Sequence, residues 1–353
     1  MDYDLLSSYA GLLGLATVSI YVGAHGSLPP PRNADGTRSE EEEVSERMSS
    51  GDAYLFPVIG SAALVGLYAV VKYFGTAWIN ALLGWYFSIA GVGAVWKSSI
   101  ALTRWAVGDV RWKAFDEVAF TIKKGTNAKA APLLSFAART PSLALLPLAI
   151  IPSALYTFHA RSILLTDVLA LAFAHNALAL LKIDSFQTGS ILLGGLFFYD
   201  VWWVFGTEVM VKVATSLDVP IKLLWPKSLS FGAGRGFTML GLGDVVVPGI
   251  FIAFALRYDH YRAGAPGHSR FGKPYFYAGL AAYVAGLVTT MGVMHLFGKA
   301  QPALLYLSPA CIVSFGLTGV FKGDLGAAWA WSDDEEDKAA IQKEPVDVEV
   351  SEK

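Results

Sequence analysis

"FQTGSILLGGLFFYDVWWVFGT" (residues 186–207) holds a single charge, Asp200, among aromatic and aliphatic residues. About 20 apolar residues in a helix cross the hydrocarbon core of a bilayer. The stretch therefore reads as a membrane span with a carboxylate inside it. An ionised acid at mid-bilayer costs roughly 2.5–3.5 kcal/mol even on the lenient insertion scale, so such a residue is a candidate functional group.

Eight further runs have the same character: residues 5–24, 54–71, 74–96, 140–158, 162–181, 237–256, 274–297 and 302–321. The composition agrees, with 54% hydrophobic and only 16% charged residues; a soluble domain has about one quarter charged. The expected fold class is an all-α polytopic membrane protein of about nine transmembrane helices. Only Asp2 and Asp4 precede the first run. It lacks the basic region of a signal peptide and is expected to be an uncleaved span. The net charge of -2 gives no basic excess for nucleic acid. Cys311 is the lone cysteine, in an apolar run, and reads as a small packed residue.

Lysine and arginine favour the cytosolic side of a membrane. With the N-terminus placed outside the cytosol, 20 of them fall in cytosolic loops and 7 on the other side. That topology gives a luminal N-terminus and a cytosolic C-terminus. Three regions are expected: four spans in 1–158, with a polar, disordered cytosolic loop at 26–53; five spans in 159–321; and an acidic, disordered cytosolic tail at 322–353.

Asp167, Asp200 and Asp244 are the acids inside the runs. Asp200 lies seven residues before the outer end of its run and Asp244 seven residues after the start of the next. At about 1.5 Å per residue both sit ~10 Å below one surface, on consecutive antiparallel helices. Two carboxyl groups at close range share a proton: one can take a proton from water while the other hydrogen-bonds a peptide carbonyl. That is aspartic protease chemistry and needs no metal or cofactor. Asp167 reads as a helix-start or interfacial acid that tunes the local field. Gly241 and Gly243 flank Leu242 before Asp244 and leave room for a second backbone. Tyr199 offers a phenol beside Asp200, for the site or for packing. Pro302, between Gln301 and Ala303–Leu304, breaks the start of the last span, where unpaired backbone groups need partners.

Tyr199–Asp200 ("YD"), Gly241–Asp244 ("GLGD") and Gln301–Leu304 ("QPAL") together resemble the signatures of the intramembrane aspartic proteases. "PIKLLWPKS" and "LGLGDVVVPGIFIAF" are similar to the signal peptide peptidase branch rather than to presenilin. The resemblance is dense from residue 187 to 311. It implies nine spans, a catalytic dyad of Asp200 and Asp244, and support from Pro302, Ala303 and Leu304. It also implies type II transmembrane substrates such as remnant signal peptides, residence in the endoplasmic reticulum membrane, and the degradation machinery of that organelle or a second copy of the chain as partners. Where the family often has paired asparagines in the fifth span, this chain has Thr166–Asp167. The expected mechanism has a substrate helix enter from the bilayer, unwind, and pair with backbone freed near Pro302. Two other readings use the same acids: a proton-coupled transporter, and a catalytically weak adaptor for membrane-protein degradation.

Overall fold

Helices long enough to cross a bilayer account for most of the chain in a computed structural model, which describes residues 3–29, 46–108, 111–112, 114–123, 132–158, 162–227, 236–264 and 271–333. In order they are α1 (Tyr3–Gly26), α2 (Ser50–Phe74), α3 (Ala77–Val107), α4 (Thr140–Phe158), α5 (Ile163–Leu180) and α6 (Phe186–Phe205). A short α7 (Val209–Ser216) follows, then α8 (Gly243–Ala263), α9 (Pro274–Phe297), α10 (Leu304–Lys322) and α11 (Leu325–Ala330). Among the described residues, eight helices are long and apolar enough to cross a membrane. The ninth long helix, α8, has Asp244 near one end and Arg257, Asp259 and Arg262 toward the other, around an uncharged middle. Its middle is buried nearly all round, from Ile250 to Leu256, as a helix packed on every side by other helices must be. Its neighbours are α1, α5, α6, α9 and α10.

Small residues let the helices close on one another. A Cβ on Gly23 of α1 would stand 2.5 Å from Leu178 of α5, and one on Gly249 of α8 2.6 Å from the same side chain. Leu178 thus fills a notch shared by three helices, the small-residue packing expected where lipid supplies no hydrophobic drive between helices. Gly75, at φ 80°, makes the turn from α2 to α3 in two residues. Phe74 therefore ends α2 instead of opening the third span.

Three small sheets lie between the helices. β1 (Glu46–Met48) pairs in parallel with β4 (Leu181–Ile183). β2 (Glu117–Lys123) pairs antiparallel with β3 (Pro132–Arg139). β5 (Lys222–Pro226) pairs antiparallel with β6 (Phe237–Gly241). The last pair corrects the seventh span. Residues 237–241, expected as its first turn, are a strand, and the helix begins at Gly243. The alternating exposure of β6, with Phe237, Met239 and Gly241 outward and Thr238 and Leu240 buried, is a strand period of two.

The cytosolic loop expected at 26–53 lies outside the described residues from 30 to 45; Ser27 and Leu28 are buried and 46–48 form β1. The tail expected from 322 is described as far as Asp333. Within it α11 packs on α10 and α6, and residue 333 enters the fold.

Candidate active site

Asp200 lies on α6, five residues from the last residue of that helix, and is 2% exposed. Burying a carboxylate requires a hydrogen-bonding partner. The partner is the backbone N–H of Leu304, which donates to Asp200 Oδ2 at 2.9 Å. Leu304 opens α10, and the first N–H groups of any helix have no partner within it. Pro302 is why the helix starts there: it lacks an N–H, and residues 301–303 are not helical. The "QPAL" break thus presents a helix N-terminus, with its partial positive charge, to the buried acid. The carbonyls of Pro302 and Ala303 are already taken, by the N–H groups of Leu305, Tyr306 and Leu307. The freed donor expected to hold a substrate strand therefore holds Asp200. Pro302, Ala303 and Leu304 are all buried, and Gln301 turns away, its Oε1 accepting from the Tyr306 hydroxyl at 3.4 Å.

Asp244 is not deep in a helix but in the first turn of α8. The expectation of seven helical residues before it fails because the β5–β6 hairpin delivers the chain in extended form. A strand advances about 3.3 Å per residue, against 1.5 Å in a helix. Leu242 closes the hairpin by donating its N–H to Ile221 at 2.9 Å, and its carbonyl accepts from Val245 and Val246 to start the helix. A Cβ on Gly241 would meet Asp244 Oδ2 at 3.3 Å, while one on Gly243 would meet nothing within 4 Å. The carboxyl thus lies close against Gly241, where any side chain would crowd it.

The two acids are close enough for their charges to act on each other. Both also face a helix N-terminus, Asp200 that of α10 and Asp244 that of its own helix. Two such ends can carry one negative charge shared by the pair. Among the described residues no group of three or more His, Cys, Asp or Glu gathers as metal ligands would.

Of the remaining expected residues, Tyr199 lays its ring against Gly60 of α2 and tilts on Trp203 at 6.4 Å, and it stays within electrostatic reach of Asp200. Asp167 is 8% exposed and accepts a 2.8 Å hydrogen bond from the Leu224 N–H of β5, so its carboxyl serves the hairpin. One residue escaped the motif reading. Tyr283 of α9 is fully buried, its hydroxyl has no protein partner, and it lies within electrostatic reach of Asp244. A lone tyrosine in an apolar span carries no local signal. Only the packing of α9 against α8 brings it here.

Fold and site together define a polytopic membrane protein that brings two aspartates from separate helices, Asp200 buried and Asp244 half-buried, within electrostatic reach of each other. A family model described as signal peptide peptidase matches residues 39–335. The human signal peptide peptidase is 37% identical over 348 residues, 98% of this chain and 88% of that protein. A probable intramembrane protease of Schizosaccharomyces pombe is 33% identical over 332 residues, 94% of this chain and 96% of its own. Intramembrane protease 2 of Caenorhabditis elegans is 43% identical over 176 residues, 47% of this chain and 38% of its own. The chain belongs to the signal peptide peptidase family and is an intramembrane protease. The transporter and silent-adaptor readings find no support.

Proposed function

We propose that Asp200 and Asp244 are the catalytic pair and that they hydrolyse peptide bonds within type II transmembrane segments such as remnant signal peptides. The observation that carries this reading is the meeting of two otherwise costly acids from separate helices, one of them fixed by the Leu304 N–H. In the reaction the ionised carboxyl takes a proton from water as the water oxygen bonds to the carbonyl carbon. The protonated carboxyl donates to the carbonyl oxygen. When the C–N bond breaks, a proton passes to the leaving nitrogen, and the two acids exchange roles.

A helical substrate hides its carbonyls in its own hydrogen bonds, so it must be extended at the cut. The register of the hairpin suggests where. Leu242 bonds Ile221, and Lys227 bonds the Gly236 carbonyl. Antiparallel pairs alternate between bonded and non-bonded. The backbone groups of Phe237, Met239 and Gly241 therefore point away from β5, along an edge that has no strand partner among the described residues. A substrate strand added there runs beside Gly241 toward Asp244. This replaces the Pro302 backbone as the docking place.

The same reading takes the endoplasmic reticulum membrane as the site of action, with a luminal N-terminus and a cytosolic C-terminus. A second copy of the chain and the degradation machinery of that organelle are the partners to be tested.

The test is cleavage of a reporter signal peptide by purified protein in detergent or liposomes. Asp200→Asn and Asp244→Ala should each lower the rate by at least about 10²-fold, with thermal unfolding nearly unchanged. A transition-state analogue of aspartic proteases should block the parent protein. Normal cleavage by either variant would remove the pair from the mechanism.

A further inference from the structure

The hairpin that leads into Asp244 has two edges, and they are not alike. On β5 the outward positions are Lys222, Leu224 and Pro226. Pro226 has no N–H to offer. The Leu224 N–H, the central donor of that edge, is taken by Asp167 Oδ1 at 2.8 Å. β6 has neither device: its outward residues Phe237, Met239 and Gly241 are exposed and keep their N–H groups. Proline and inward-pointing charge are the means by which sheets close an edge to further strands.

Asp167 also ties the hairpin to the helices. It projects from α5, and β5 packs on both α5 and α1. On the α1 side, Trp225 lies over Gly11, where no Cβ would fit. The hairpin is thereby held by two helices, α5 at the β5 edge and α1 against both strands, while the far edge of β6 has no strand partner among the described residues.

We infer that Asp167 is a positioning residue for proteolysis: by accepting the Leu224 N–H it closes the β5 edge and fixes the hairpin so that a substrate strand adds only to β6. The requirement is for an acceptor oxygen rather than a charge, so asparagine serves equally well. The inference rests on the reading that substrate docks along β6, and the two can fail separately.

Four variants distinguish them, each assayed for KM and kcat on a reporter signal peptide and for binding of an active-site inhibitor too small to reach the hairpin. Asp167→Asn should match the parent protein. Asp167→Leu should raise KM by about tenfold or more, with inhibitor affinity retained, because it weakens substrate docking without touching the acids. Leu224→Pro removes the same hydrogen bond from the strand side and should reproduce the KM increase; it decides the matter if Asp167→Leu does not fold. Met239→Pro deletes an outward N–H from β6, leaves the bonds between the strands intact, and should raise KM on its own. If Met239→Pro leaves KM unchanged, docking on β6 is wrong and the inference falls with it. If Met239→Pro raises KM but Asp167→Leu and Leu224→Pro do not, docking stands and the role of Asp167 is refuted. Loss of cleavage in Asp167→Asn equal to that in Asp167→Leu would refute it too, by showing a need for charge.

Discussion

The Tyr283 hydroxyl is buried without a protein partner in a core of aliphatic and aromatic side chains. An unpaired buried polar group costs about 1–3 kcal/mol. A phenylalanine would fill the same space without that cost. Retaining the hydroxyl within electrostatic reach of Asp244 is explained if it donates to that carboxyl, directly or through water, while the bond is cut. Tyr283→Phe should leave the melting temperature unchanged or raise it. It should lower kcat on the order of 10-fold, less than the 10²–10³ of a donor aimed straight at an oxyanion. Lower stability with unchanged kcat would make Tyr283 a packing residue. Tyr199→Phe, by contrast, should leave kcat within about twofold, because its ring packs against α2 and its hydroxyl, unlike that of Tyr283, is not a buried group left without a partner.

At the scale of elements, the start of α10 does what its sequence does not announce. Pro302→Ala permits one more helical turn ahead of Leu304. The Leu304 N–H then bonds within the helix, and Asp200 loses its fixed orientation. Single-turnover cleavage should fall by about 10-fold or more, the scale at which small misplacements of reacting groups act, while membrane insertion is unaffected. An unchanged rate would show that Asp200 is oriented by something else. The proline and the two acids were legible in the sequence because each breaks a local rule: a helix breaker at a span start, and charges in apolar runs. The β5–β6 hairpin was not. "FTML" is as apolar as any helical turn, and four to five residues are too few for periodicity to separate strand from helix. Its strand character comes from pairing with "KLLWP", across a separation that no local pattern spans. The role of Asp167 was hidden for the same reason, since its partner is a backbone N–H on that strand.

For the whole molecule, the end of α8 remote from Asp244 acts as an anchor. Arg257 is 3% exposed and makes three contacts to three parts of the chain. Its Nε meets Asp333 Oδ2 at 2.9 Å, its Nη1 donates to Ser27 Oγ at 3.3 Å, and its Nη2 donates to the Ile183 carbonyl at 3.2 Å. Asp333 is held in turn by donating its N–H to the Asp184 carbonyl at 2.8 Å. The segment after α1, the β4 strand and the stretch beyond α11 all converge on one guanidinium. Its five fixed donors suit that geometry as a lysine would not. Breaking a buried pair from one side leaves an uncompensated charge and costs about 3–5 kcal/mol, whereas replacing both partners with apolar residues is often neutral. Arg257→Ala should therefore lower the unfolding temperature in detergent markedly, and Arg257→Met with Asp333→Leu should recover most of the loss. At about 1.5 Å per residue the anchor is ~20 Å along α8 from Asp244. Protein that remains folded should accordingly keep the parent kcat. If kcat fell in step with stability in both variants, the anchor would be coupled to the acid pair through α8 rather than serving only to fasten the chain around it.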